Sequence, residues 1–289
     1  MKIRITKHLL PYFTADRKLR EVRTDLLRSY IVHRQSERAA NATINLELAV
    51  LKRAYALAIE AGLLTHRPAF PKIRIRNARQ KFFELDQYRS VLKACPDYLQ
   101  APVIFAYWTG WRFRSEIITL QWRHVDRAAG EIRLDIGSTK NGEGRILPYT
   151  AVQELRELID QQWAWHQERA AAGFICPWVF PSAGGYQLRV STYRRDWDKA
   201  RRRAGVPGLV LHDFRRTAIR NLVRAGVPDV IAMKISGHKT RQIFDRYNIV
   251  SATDLREALG RMVSVSWRVT PAAPYAAPPG VTPEHRAKS

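Results

Sequence analysis

Apolar residues at Ile44, Leu48, Leu51, Tyr55 and Ala58 recur at spacings of 4, 3, 4 and 3, which is the stripe of an amphipathic helix. Gly62 follows as its C-terminal stop. Upstream, residues 25–35 place Leu26, Leu27, Tyr30 and Ile31 on one helical face, so the first eighty residues read as helical. Residues 66–81 then lose the period and turn polar, basic and proline-bearing, with Arg67, Pro68, Pro71, Lys72, Arg74, Arg76, Arg79 and Lys81. That is a linker composition, and its charge suits a phosphate backbone, although a solvated surface loop has the same look.

A second, larger region begins at Phe82. Helical patterns cover 86–94, 101–108 and 114–120. The period falls to 2 over 131–136, where Ile132, Leu134 and Ile136 alternate with Glu131, Arg133 and Asp135. Asn141-Gly142 is a hairpin turn signal, and residues 145–147 supply the return strand. Helices resume over 152–163 and 192–204. Two further helical patterns, 212–225 and 229–236, are separated by Gly226 and Pro228, an arrangement that invites a helix-turn-helix reading. Residues 270–289 hold five of the fifteen prolines and read as a disordered tail.

Composition narrows the function classes. The 289 residues carry 49 Lys and Arg against 26 Asp and Glu, a net charge of +23. Arginine supplies 37 of those cations and lysine 12, a ratio that favours planar, bidentate phosphate contacts. A hydrophobic content of 46% is enough for a packed core. No run approaches the roughly 18 apolar residues of a membrane span. The basic start is broken by Pro11 and lacks a cleavage pattern, so a signal peptide is not expected. Two cysteines, Cys95 and Cys176, make neither a disulfide framework nor a zinc site. The expectation is a cytoplasmic, nucleoid-associated protein handling nucleic acid, with a ribosomal or membrane-surface protein as the plain rival.

His-x-x-Arg occurs at His212/Arg215, His124/Arg127 and His166/Arg169, so the pair alone decides nothing. Context separates them. His212 and Arg215 share a helix face, while Phe214, Ala218, Ile219, Leu222 and Val223 form a separate apolar face. His238 follows Arg215 by 23 residues, in Ser236-Gly237-His238, and Tyr247 comes nine later. Upstream lie Thr109-Gly110-Trp111-Arg112, Glu116 and Thr139-Lys140.

With these residues the chain resembles the tyrosine recombinase (phage integrase) family. Thr109-Gly-Trp-Arg112, Thr139-Lys140-Asn-Gly, Leu211-His-Asp-Phe-Arg215-Arg-Thr217, Ser236-Gly-His238-Lys-Thr240 and Phe244-Asp-Arg-Tyr247 are similar to its active-site boxes, in order and at workable spacing. Any one box discriminates poorly; five in order are specific. The resemblance implies a mainly α fold with a small antiparallel β-sheet in a two-domain architecture. A helical core-binding domain with its basic linker would occupy 1–79, an α+β catalytic domain 80–262, and the tail 263–289. Residues 41–48 and the helix ending at Gly62 carry the first-domain likeness. Many members have a further DNA-binding domain ahead of this one; the expectation is that none fits here, and that the short core-binding segment reflects a truncated start or a misassigned first codon.

The family's chemistry is attack by a tyrosine hydroxyl on a DNA phosphodiester, which forms a 3′-phosphotyrosyl link and releases a 5′-hydroxyl. Neither ATP, metal nor another cofactor is implied. By resemblance Tyr247 is the nucleophile, with a hydroxyl of ordinary pKa about 10 that needs an acceptor, the role of His212. Arg112 and Arg215 clamp the phosphate oxygens, His238 hydrogen-bonds the phosphate, and Lys140 protonates the leaving oxygen. Glu116 looks like the family's acidic residue that orients the first arginine, and Asp213 a supporting or helix-terminal charge. Each has a plain structural reading too: a core tyrosine or histidine, a charge beside a turn, a cap. One departure bears on the first arginine. The family places it three residues before the acidic residue, whereas Arg112 precedes Glu116 by four and Arg114 by two. Arg112 is chosen because Thr109-Gly110 anchors its turn, with Arg114 as the fallback.

The function expected is a site-specific recombinase acting as a homotetramer on paired double-stranded DNA sites, for integration or excision of a mobile element. A host DNA-bending or directionality factor is the expected accessory. Lys72–Arg79 and Arg194–Arg203 are candidate backbone contacts. Leu255, Leu259 and Met262 fall at helical spacing and suit either an adjacent subunit or the chain's own core. The alternatives are a catalytically inactive DNA-binding regulator on the same scaffold and a type IB topoisomerase. A metal-dependent nuclease lacks a convincing carboxylate trio.

Overall fold

The computed structural model describes residues 2–75, 81–135, 144–245, 247, 255–256 and 259–260. Thr139, Lys140 and Asn141-Gly142 at the hairpin, Arg76 and Arg79 of the linker, Met262 and the tail 263–289 lie outside the described residues. The chain divides into two compact units, Met1–Arg79 and Gln80–Ser289.

In the first unit, α1 (Lys2–Arg4), a π-helical turn (Ile5–Leu9) and α2 (Leu10–Phe13) run together, followed by α3 (Thr24–Ser36) and α4 (Asn41–Glu60). The stripe of α4 is buried at Ile44, Leu48, Leu51 and Tyr55, against Leu27 and Tyr30 of α3 and Leu9 and Phe13 of the opening segment. After α4 the chain turns at Gly62, whose φ of +71° is the left-handed geometry of a helix stop. One charged pair sits inside this core. Glu47 is fully buried and accepts from Arg34 Nε and Nη2 at 3.0 Å each and from Tyr30 Oη at 2.8 Å, so both its oxygens are satisfied. The linker is less free than its composition suggests. Phe70 and Ile73 pack on the first core, and Asn45 donates to and accepts from the Ile73 backbone at 2.8 and 3.2 Å.

The second unit opens with α5 (Leu85–Ala94) and α6 (Asp97–Thr109), then a π-helical turn (Phe113–Ile117). A three-stranded antiparallel sheet follows in the order β1 (Val125–Asp126), β2 (Glu131–Leu134), β3 (Arg145–Pro148), with Ile132 opposite Leu147. Helices α7 (Gln153–Ala171), α8 (Val190–Arg203), α9 (Asp213–Arg224), α10 (Asp229–Ser236) and α11 (Arg241–Asp245) complete it. The fold is therefore mainly helical with one small sheet. Its core is aromatic: Phe83 stacks on Phe214 at 4.2 Å, and Tyr88 on Tyr107 at 3.8 Å between centroids.

Three elements depart from the sequence reading. β1 is two residues long, too short to show a period of 2. Helix α7 runs eight residues past Trp163, because Trp165 and Arg169 pair on its surface at 4.6 Å and hold the helix where no apolar stripe does. Helix α9 is buried on every face from Asp213 to Arg220. It is a central helix, not one that lies free in a groove, so the helix-turn-helix reading of α9 and α10 does not describe it.

Candidate active site

The site is assembled around α9. His212 is its N-cap and Arg215 lies in its first turn. Phe214 and Ala218, 1% and 2% exposed, fix that turn in the core. Thr217 ties the helix to the start of the unit, accepting the Phe83 N–H at 2.8 Å. Asp213, fully buried, accepts the Val210 N–H at 2.8 Å, which ties the helix start to the turn before it.

Arg215 is 2% exposed, and its guanidinium is held by carbonyls. Nη1 donates to Gly110 O at 2.8 Å and Nη2 to Gly237 O at 3.4 Å. Both glycines are left-handed C-caps, of α6 and α10 respectively, so two helix C-termini present their negative dipole ends to one cation. At Gly110 the close fit is also steric: a Cβ there would sit 2.9 Å from Ala218 Cβ. Nε of Arg215 donates to His238 Nε2 at 3.1 Å. His238 Nδ1 lies 2.8 Å from Ser236 Oγ and 3.1 Å from Arg215 Nη2, while Ser236 donates to Ala232 O at 2.7 Å.

Arg112 stands before the π-helical turn. Ile117 N–H donates to Arg112 O at 3.2 Å and Ile118 N–H to Phe113 O at 3.1 Å, the i to i+5 pattern of a turn one residue wider than an α-turn. This turn takes up the extra residue between arginine and acid. It returns Glu116 to Arg112, whose N–H and Nη1 donate to the carboxylate at 2.8 and 2.5 Å, and leaves Arg114 exposed. Glu116 is 1% exposed and has a second cation, Arg145 Nη2 at 3.0 Å.

Tyr247 is half-buried against Phe244, which with Ile219 and Ala232 forms a small separate core. Its Oη is 2.9 Å from His212 Nε2. Its ring lies 4.9 Å from the His238 ring and has the Arg216 guanidinium over it at 4.9 Å. Arg112, His212, Arg215, His238 and Tyr247 are thus gathered in one place; Lys140 falls outside the described residues. The His124/Arg127 and His166/Arg169 pairs go elsewhere. Arg127 lies over Trp163 at 4.9 Å, and His166 packs against Trp122 and Trp163.

The electrostatics follow from crowding cations. Burial, and then the charges of Arg215, Arg112 and Arg145, push His238 down to about 3. Desolvation of its ring, followed by Arg215, lowers His212, so both imidazoles are neutral at pH 7 and can accept a proton. Burial and the Arg112 charge lower Arg215 to about 9, which leaves it cationic. Glu116 lies below the ordinary carboxylate value: burial alone would raise it, and Arg145 and Arg112 outweigh that. Three guanidiniums therefore share one carboxylate, and the site suits an anion that brings more negative charge.

Arg145 was not singled out by the sequence reasoning. The signal was its register: it shares the inward face of β3 with buried Leu147, while Ile146 between them is 57% exposed. An arginine on the inward face of a strand, beside an outward isoleucine, inverts the usual pattern. Among the described residues no group of three or more His, Cys, Asp or Glu is placed to hold a metal ion, and no helix is long and apolar enough to cross a membrane.

Comparison with known proteins matches residues 81–253 to the phage integrase family. The chain is 27% identical over 213 residues to the integrase of Salmonella phage P22, covering 71% of this chain and 53% of that protein. It spans about half the length of the curated relatives it matches. Among solved structures, a lambda integrase(75–356) dimer bound to a COC′ core site superimposes with a TM-score of 0.69 at 19% identity, over 86% of each chain. A lambda integrase tetramer bound to a Holliday junction gives 0.67 at 19%, over 83% of this chain and 68% of that one. These likenesses are to the fold. The family match covers more than half of the sequence and takes in the whole gathered site, and the chain belongs to the phage integrase, or tyrosine recombinase, family.

Proposed function

We propose that this protein is a site-specific DNA recombinase that cuts and rejoins duplex DNA through a 3′-phosphotyrosyl link to Tyr247, in the integration or excision of a mobile element. The observation that carries this reading is the 2.9 Å contact between Tyr247 Oη and His212 Nε2, beside guanidiniums that lack matching anions. Family membership and the DNA-bound state of the lambda integrase structures support it.

In the proposed step the Tyr247 oxygen attacks the phosphorus and its proton passes to neutral His212. The P–O(Tyr) bond forms as the P–O5′ bond breaks, and the 5′-oxygen takes a proton from Lys140. Charge grows on the non-bridging oxygens, where Arg112 and Arg215 donate and the His238 ring lies against Arg215. The new link keeps the phosphodiester energy, so a 5′-hydroxyl from a second strand can reverse the step without ATP or metal. A tetramer on paired sites supplies that second strand; exposed Leu255 and Leu259 are an apolar pair suited to contact between subunits. A host bending or directionality factor and a nucleoid location belong to this reading as well.

Covalent capture tests it. Wild type and Tyr247→Phe are incubated in EDTA with sheared DNA from the source replicon, quenched in SDS, and the protein-linked DNA sequenced. One locus enriched by wild type alone is the expected result. Adducts from Tyr247→Phe would remove Tyr247 as nucleophile. DNA binding without any adduct would favour an inactive regulator.

A further inference from the structure

We infer that Arg145 is a positioning residue for DNA cleavage: its guanidinium fixes the Glu116 carboxylate against Arg112 and so sets where Arg112 meets the phosphate. The inference rests on the recombinase reading above. Arg145 opens β3, and its side chain is 7% exposed. Its guanidinium lies over the Trp111 ring at 4.7 Å, and Trp111 is itself anchored by Nε1 to Ile235 O at 3.0 Å. Nη2 reaches Glu116 Oε1 at 3.0 Å, the same oxygen that Arg112 Nη1 touches at 2.5 Å. One carboxylate oxygen therefore bridges two guanidiniums, one from the sheet and one from the π-helical turn.

The surroundings are built for this side chain. A Cβ at Gly237 would lie 2.4 Å from Arg145 Cζ, so the glycine that caps α10 also leaves the space the guanidinium fills. Arg145 Nη1 is buried without a partner among the described residues. Glu116 faces Arg112 on one side and Arg145 on the other, with Arg215 as the next charge. Burial works against its ionised form, and Arg145 is the foremost charge opposing that. Without Arg145, Glu116 keeps one guanidinium and has freedom to rotate away from it. A reacting group misplaced by about 1 Å loses on the order of 100-fold in rate.

The test uses the full chain and a nicked suicide duplex built from the locus captured through Tyr247. Single-turnover cleavage by Arg145→Met, which keeps bulk over Trp111, should fall ~100-fold while DNA affinity and its salt dependence stay as in wild type. Arg145→Lys, which keeps the charge, should recover part of the rate. Because Arg145 acts through Glu116, Arg145→Met should slow a Glu116→Gln background little further, which a merely structural role would not produce. Wild-type cleavage by Arg145→Met would overturn the inference. So would weaker DNA binding with a shallower salt slope, the mark of a direct phosphate contact. If Arg145→Met fails to fold, Arg145→Lys decides: full loss of cleavage without recovery on a folded variant overturns it. Absence of cleavage by wild type would instead overturn the recombinase reading, and this role with it.

Discussion

Glu116→Gln removes one negative charge and changes almost no volume. Glu116 is 1% exposed, and its two oxygens take the Arg112 N–H at 2.8 Å, Arg112 Nη1 at 2.5 Å and Arg145 Nη2 at 3.0 Å. An amide keeps one acceptor for the backbone N–H but turns two donors toward two guanidiniums. Removing one partner from a buried ion pair costs about 3–5 kcal/mol, and here two cations lose the same anion. For a unit of this size each kcal/mol is worth about 2–4 °C, so melting should fall by about 6 to 20 °C. The assay is selective, because all eight tryptophans lie within Gln80–Ser289; their fluorescence follows unfolding of that unit only. The pH dependence has a defined sign. The folded Glu116 value is depressed below 4.5, so its contribution is present above the unfolded value and is lost as pH falls through the folded one. The gap between wild type and Glu116→Gln should therefore close in acid. A variant that melts within about 1 kcal/mol of wild type at pH 7 would refute the shared carboxylate as the anchor of the arginines.

Two further outcomes follow from the same geometry. His238 titrates near 3 in the folded chain against an ordinary 6.5, so its contribution is whole above 6.5 and drains as pH falls toward 3; urea midpoints of wild type should drop with a slope about 1.4 kcal/mol per pH unit steeper than those of His238→Gln in that window. Equal slopes would place His238 outside the buried cluster. Gly110→Ala meets both a φ of +63° and a contact at 2.9 Å and should cost about 1–3 kcal/mol, whereas Gly226→Ala, at φ +77° with nothing within 4 Å, should cost about 1 kcal/mol; equal losses would remove the α6–α9 contact as a constraint.

What was legible in the sequence was what repeats locally. The stripe from Ile44 to Tyr55 and the span of α10 were visible because burial of apolar side chains imposes a period. The gathered site was legible only through residue types in order, since nothing periodic links Arg112 to His238. Arg145 escaped because it meets Glu116 across 29 residues of sequence, and hydropathy treats a buried arginine and an exposed one alike. Helix α9 misled for the same reason: Arg215, Arg216 and Arg220 are all buried, so the polar face of the pattern is an inside face. The π-helical turn was visible as one surplus residue between Arg112 and Glu116, yet only the backbone determines whether a surplus residue widens a turn or shifts the register.

The way Arg215 is held bears on how the site accepts an anion. A carboxylate partner would have to be displaced, or would repel an incoming phosphate. Arg215 has instead two backbone carbonyls, from Gly110 and Gly237, and one neutral imidazole, His238. These take three of its five N–H donors without cancelling its charge. Arg112 and Arg145 divide the Glu116 carboxylate between them, so Arg112, Arg145, Arg215 and Glu116 together keep two positive charges. In the proposed reaction a phosphodiester brings one negative charge, and attack by Tyr247, whose proton passes to His212, raises the charge on the phosphorus oxygens to two. The charge deficit of the empty site is thus closer to the transition state than to the bound ground state, the differential that lowers a barrier. Apolar packing by Trp111, Phe214 and Ala218, each at most 2% exposed, holds the cations together until that charge arrives. Replacing the carbonyls by a second carboxylate would stabilise the empty fold and spoil this match.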